Sequence, residues 1–137
     1  MGHHPERVAL TVDAIITDAA GRVLVMERGT EPFSGTWVFP GGYVDPGETV
    51  EQDCIREVRE ELGLDVRLTG LIGIYSEPGR DPRGSVVSIA YRAEVIGGTL
   101  TVTAEARAHR WLEPDEEVPM GFDHARILAD HRAQIRA

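Results

Sequence analysis

GYVDPGETVEQDCIREVREELGL, residues Gly42 to Leu64, decides the reading of this chain. Thr49 and Gln52 have the spacing of a capping box, so a helix starts there. Gly63 is placed to stop it, because glycine adopts the left-handed terminal conformation easily. At about 100° per residue, Cys54, Ile55, Val58 and Leu62 share one arc, with Val50 at its edge. That arc is expected to pack on a sheet. Asp53, Glu57, Glu60 and Glu61 fill the adjoining arc, with Glu61 nearest the buried edge. Carboxylates three and four residues apart converge and repel, and partial burial sharpens their need for a cation. Hard divalent cations take oxygen ligands and often bind carboxylates together with substrate phosphates. An acidic helix of this kind is ordinarily only a solvated face. Pro40-Gly41-Gly42 stands ahead of it and Gly63 behind it.

The segment resembles the Nudix box, G-x5-E-x7-R-E-U-x-E-E-x-G-U with U aliphatic. Gly42, Glu48, Arg56, Glu57, Val58, Glu60, Glu61, Gly63 and Leu64 meet every specified position. The resemblance implies an α/β Nudix fold, an α/β/α sandwich with a mixed β-sheet. It also implies hydrolysis of a pyrophosphate bond in a nucleoside diphosphate derivative, with Mg2+ (or Mn2+) as cofactor. Glu57 and Glu61 would be the core metal ligands, joined by Glu60 and the Gly41 carbonyl. Arg56 and Glu48 would fasten the loop to the helix. Such enzymes often use a further carboxylate from a late loop. Glu105 is the candidate, with a solvent-facing loop residue as the alternative reading, and Glu116 or Glu117 stand in reserve.

Beyond the box, residues 73–95, Pro32–Trp37 and Gly121–His124 resemble the small ADP-ribose pyrophosphatase branch of that family. This implies ADP-ribose cleaved to AMP and ribose 5-phosphate. A nucleoside triphosphate pyrophosphohydrolase releasing NMP and PPi is the alternative enzyme. A non-catalytic nucleotide-sensing module is the alternative outside enzymes. Arg80 and Arg83, in the Pro/Gly-rich loop Ser76–Gly84, suit phosphate contact, since the guanidinium fork matches phosphate oxygens. An ordinary connecting loop is the other reading. Arg28 is either a substrate contact or a strand-end charge. Phe33 and Tyr43 either stack on a base or pack locally. Trp37, Trp111 and Cys54 read as packing residues. His124 reads as a cap, a surface residue or a substrate contact.

The 137 residues suffice for one domain with a sizeable core, expected over 8–137 after a flexible N-terminus, 1–7. His3 and His4 fall in that terminus. Net charge is −9, and all 14 basic residues are arginine, so no catalytic or phosphate-binding lysine exists. That balance disfavours a nucleic-acid partner. One cysteine excludes an internal disulfide. No long apolar run suggests a membrane partner, and a cytoplasmic location is the default expectation. The expected partner is a small-molecule nucleotide, with a homodimer left open.

Along the chain, Val8–Thr17 and Val23–Met26 read as a hairpin around Asp18–Gly21, and Trp37–Phe39 as a short strand. Val66–Tyr75, Val86–Val95, Leu100–Val102 and His109–Leu112 read as strands. Ile96–Thr99 reads as a hairpin turn, and Phe122–Ile135 as a helix.

Overall fold

The computed structural model describes residues 7–101, 103 and 106–137. Residues 1–6 of the terminus expected to be flexible, His3 and His4 among them, lie outside this range, as does Glu105. Strands β1 (Ala9–Ile16), β2 (Val23–Arg28), β3 (Trp37–Val38) and β4 (Gly41–Tyr43) precede helix α1 (Val50–Leu62). Strands β5 (Leu64–Tyr75), β6 (Val86–Gly98) and β7 (Ala106–Leu112) and helix α2 (His124–Ile135) follow. One mixed sheet has the order β4-β1-β6-β5 and a second has the order β3-β2-β7. β1 runs parallel to β6 and antiparallel to β4.

Two apolar clusters lie on opposite faces of these strands. Val12, Ala14 and Ile16 of β1 and Leu24 and Met26 of β2 pack with Cys54, Val58 and Leu62 of α1. Ile15, Val23 and Val25 pack instead with Ile127 and Leu128 of α2. The period-two alternation of a strand thus feeds both helices. This is the α/β/α arrangement expected from the sequence. Burial of both faces also explains why β1 reads as a nearly unbroken apolar run.

The α1 boundaries follow the local chemistry. Thr49 Oγ1 accepts the Gln52 N–H at 3.1 Å, and Gln52 Oε1 accepts the Thr49 N–H at 3.0 Å. Gly63 ends the helix at φ 73°. Burial pushes the Cys54 thiol up to about 12, which makes it an inert packing group.

Three local expectations are corrected. β1 and β2 do not form a hairpin; a single bridge, Thr17 to Val23, joins them before they enter different sheets. Each is flanked by two other strands, so neither has an open edge left for the other. Residues Ile96 to Gly98 continue β6 against Leu64 and Asp65 rather than turning. The chain beyond them closes the end of α1, as Thr99 N–H bonds Gly63 O at 3.1 Å and Thr101 N–H bonds Leu62 O at 2.9 Å. Leu100 and Thr101 are therefore not strand, and Val102 lies outside the described residues.

α2 carries a buried histidine. His131 is 1% exposed, and its Nδ1 accepts Arg92 Nε–H at 3.0 Å. Burial, aided by Arg92 and Arg132, holds its pKa down at about 4. The folded protein therefore needs His131 neutral. Below the ordinary histidine value the unfolded chain gains the proton first, so stability falls as pH drops through the interval between the two values. Roughly 2 kcal/mol is expected to be lost between pH 7 and pH 5. Thermal melts across that range check this, and His131→Gln is expected to flatten the slope.

Candidate active site

α1 carries its acidic residues in two distinct environments. Arg56 is the centre of the first. Its Nε donates to Glu48 Oε1 and Oε2 at 2.9 and 3.0 Å. Its Nη2 donates to Asp45 at 3.0 Å and to Asp53 at 2.8 Å, and its Nη1 donates to Glu60 at 2.9 Å. Asp53 is fully buried and also accepts the Asp45 N–H at 2.9 Å. Asp45, Glu48 and Asp53 converge closely enough to suggest a cation site. The guanidinium already supplies that positive charge, and the surrounding carboxylates hold Arg56 firmly in its charged form. This cluster ties the loop before α1 to the helix.

Glu57 and Glu61 form the second environment. Glu61 is 3% exposed, and one of its oxygens accepts the Gly41 N–H at 3.3 Å. The two carboxyl groups lie within hydrogen-bonding reach of each other, and Glu57 also contacts Arg56 Nη2 at 3.3 Å. Burial raises the Glu57 pKa above the ordinary value, and Asp53 and Glu60 push it further; Glu61 and Arg56 oppose them. Two paired, desolvated carboxylates call for a proton or a cation between them. Their hard oxygen donors suit a divalent ion.

Gly41 and Gly42 shape this pair from the strand side. A Cβ on Gly41 would sit 1.9 Å from Val12 O, so β4 can approach β1 only without one. A Cβ on Gly42 would sit 2.9 Å from the Glu57 carboxyl carbon. Gly42→Ala is therefore expected to push Glu57 aside. The loss in kcat should be on the order of 10²-fold, as for other displacements of about 1 Å at a catalytic group. Steady-state kinetics with a melting curve would separate this from unfolding, because the neighbour that must move is a side-chain end.

Across Gly41 and Gly42 a pocket opens, lined by Arg28, Tyr43, Arg80, Arg83 and Phe122 and floored by Asp13 and His124. Arg83 sits over the rings of Tyr43 and Phe122, 5.2 Å from each centroid. Arg28 lies 5.0 Å from the Phe122 centroid. Phe33 packs on Phe122 with centroids 4.7 Å apart. Both phenylalanines have positive φ, 66° and 52°, a costly conformation for non-glycine residues. Asp123 grips Arg80 through Nε at 2.8 Å and Nη2 at 2.5 Å, and Asp81 grips Arg83 at 3.0 and 2.7 Å. Both loop arginines are thus held at the pocket wall.

The candidate residues from the sequence separate accordingly. Glu57 and Glu61 come together with Gly41. Arg28, Tyr43, Arg80 and Arg83 line the adjoining pocket, with Phe33 behind Phe122. Glu60 is 57% exposed in its side chain and turned to Arg56. The reserve carboxylates stand elsewhere, Glu116 beside Arg110 and Glu117 largely exposed near Arg132. Asp13, Thr11, Ser88 and Phe122 escaped the sequence reading. A lone aspartate inside the β1 apolar run was the available signal for the first of them.

The acidic helix thus stands beside a pocket lined by glycines and arginines. The chain matches the NUDIX domain family over residues 7–131, belongs to that family, and is a Nudix pyrophosphohydrolase. It is 40% identical over 128 residues to a protein of Methanocaldococcus jannaschii described as an ADP-ribose pyrophosphatase, covering 93% of this chain and 73% of that one. It is 30% identical over 109 residues to the CTP pyrophosphohydrolase of Escherichia coli, covering 78% of each. The fold is also that of the NUDIX domain of Shewanella oneidensis NrtR solved with ADP ribose. The TM-score there is 0.79 and the identity 25%, with 97% of this chain and 94% of that one covered. No helix among the described residues is long and apolar enough to cross a membrane.

Proposed function

We propose that this enzyme hydrolyses the pyrophosphate bond of ADP-ribose, giving AMP and ribose 5-phosphate. The observation that carries the reading is the continuity, through Gly41 and Gly42, between the Glu57–Glu61 pair and a pocket of aromatic rings and arginines. Aromatic faces suit a base, and guanidinium groups suit phosphate oxygens. The M. jannaschii relative supports ADP-ribose as the substrate.

Glu57 and Glu61, joined by the Gly41 carbonyl, would hold Mg2+ or Mn2+, and Glu60 would join them only by leaving Arg56. A bound divalent ion supplies charge neutralisation on the phosphates and a more acidic water. Arg56 and Glu48 fix the helix against its loop, so the carboxylates keep their places. Arg28, Arg80 and Arg83 face the remaining phosphate charge. Glu105 remains a candidate for the base.

The similarity to a CTP pyrophosphohydrolase favours a second reading, cleavage of nucleoside triphosphates to NMP and PPi. Product analysis decides between them. Purified enzyme with Mg2+ is expected to turn over ADP-ribose with the higher kcat/KM, yielding AMP and ribose 5-phosphate. Faster turnover of a triphosphate with PPi release would reverse the assignment.

A further inference from the structure

Asp123 stands at the start of α2, where an aspartate ordinarily accepts a backbone N–H of the first turn. Asp123 makes no such side-chain cap. Both of its oxygens go instead to Arg80, Oδ2 accepting Nε–H at 2.8 Å and Oδ1 accepting Nη2–H at 2.5 Å. The Arg80 side chain is 4% exposed, and a charge so deeply buried needs a partner of good geometry. The helix end thus forgoes a cap to grip a loop from a distant part of the chain.

The gripped loop also carries Arg83. Gly79 and Gly84 bend the loop at positive φ, 81° and 148°, and a Cβ on either would meet nothing within 4 Å. Both bends are therefore open on that side, and Arg80 fixes the loop between them. The next residue, Asp81, is 4% exposed. It accepts Arg83 through the backbone N–H at 2.8 Å, Nε–H at 3.0 Å and Nη2–H at 2.7 Å. Arg83 in turn lies over the rings of Tyr43 and Phe122. A line of contacts runs from Asp123 through Arg80 and Asp81 to the Arg83 guanidinium. The residues on either side of Asp123 are anchored too, Phe122 on Phe33 and His124 to the Phe39 N–H at 3.0 Å.

We propose that Asp123 is a positioning residue, acting through Arg80 to hold the Ser76–Gly84 loop so that Arg83 faces the substrate phosphates before substrate arrives. By charge alone, Asp81 and Asp123 oppose the binding of an anionic substrate. What they supply is order. An arginine immobilised in advance loses less freedom on binding. That gain belongs to binding of the ground state and the transition state alike, so it is read in KM rather than in kcat. The inference rests on the phosphate-facing pocket of the proposed function, and it applies equally to ADP-ribose and to a triphosphate.

Asp123→Asn tests the proposal by the sign of its effect. Asn still suits a helix start and still accepts one N–H, but its amide nitrogen cannot accept the second. A carboxylate acting only through its charge would lower KM when removed. Positioning predicts the opposite: KM raised about tenfold, kcat kept within about threefold, and Mn2+ affinity unchanged. Arg80→Lys keeps the positive charge but loses the planar fork, and it should give the same split. It carries the test if Asp123→Asn does not fold. The assay uses whichever of ADP-ribose and CTP the wild type turns over faster. An unchanged or lowered KM in the folded variants, or a loss confined to kcat, would overturn the positioning role while leaving the proposed function standing. Wild-type turnover of neither substrate would overturn the proposed function and this inference with it.

Discussion

Glu61→Gln is expected to lower kcat/KM for ADP-ribose by about 10³-fold or more. A cation acting on phosphate and water contributes several kcal/mol of transition-state stabilisation, and about 4 kcal/mol corresponds to 10³ in rate. Glu61 is the most deeply buried member of the pair and is positioned by the Gly41 N–H. Gln keeps the shape, and its oxygen can still accept that hydrogen bond. The fold should therefore survive while the negative charge is lost. Stability should move the other way from activity. In the wild type, Glu57 has a raised pKa, so without a cation the folded state loses stability as pH rises through that value. Gln at 61 removes the facing charge. The metal-free variant should thus melt at or above the metal-free wild type at pH 8. Activity within a few-fold of wild type would remove Glu61 from the metal site.

Arg56→Ala is expected to cost about 3 kcal/mol and to lower the melting temperature by about 10 °C. The magnitude rests on Asp53, which is fully buried and has Arg56 as its ion-pair partner. Removing one member of a buried pair strands the other, at a cost of about 3–5 kcal/mol. The lower end applies because the Arg56 side chain is 29% exposed. Asp45 and Glu60 are 64% and 57% exposed, and such pairs contribute about 0–1 kcal/mol each. Asp45→Asn should accordingly change the melting temperature little. Differential scanning calorimetry of both variants checks the contrast. A small loss for Arg56→Ala would mean that the Asp53 carboxylate is satisfied elsewhere.

Much of the reaction chemistry was legible because it lies in one helix and its two ends. The capping box, the glycine stop and the buried arc of Cys54, Val58 and Leu62 all follow from local spacing. Local spacing also placed Glu57 beside Glu61. What it missed depends on pairing between distant segments. Thr17 and Val23 look like the mouth of a hairpin, and only the claims of β4, β6, β3 and β7 pull their strands apart. Gly97 and Gly98 look like a turn, yet they extend β6 along Leu64 and Asp65. The pocket floor joins Asp13 to His124, over a hundred residues apart, through tertiary packing alone. Positive φ at Phe33 and Phe122 has no signature in residue type. The same limit hid the arginine partners of Asp53 and Asp123, which come from packing between elements.

The central claim is that the divalent cation belongs to Glu57 and Glu61, and not to the Asp45–Glu48–Asp53 cluster filled by Arg56. Mn2+ binding followed by electron paramagnetic resonance tests this directly on the wild type, Glu57→Gln, Glu61→Gln and Asp45→Asn. The expected result is Mn2+ affinity weakened by about tenfold or more in both glutamate variants and unchanged in Asp45→Asn. Wild-type affinity in the glutamate variants, with loss in Asp45→Asn, would contradict it.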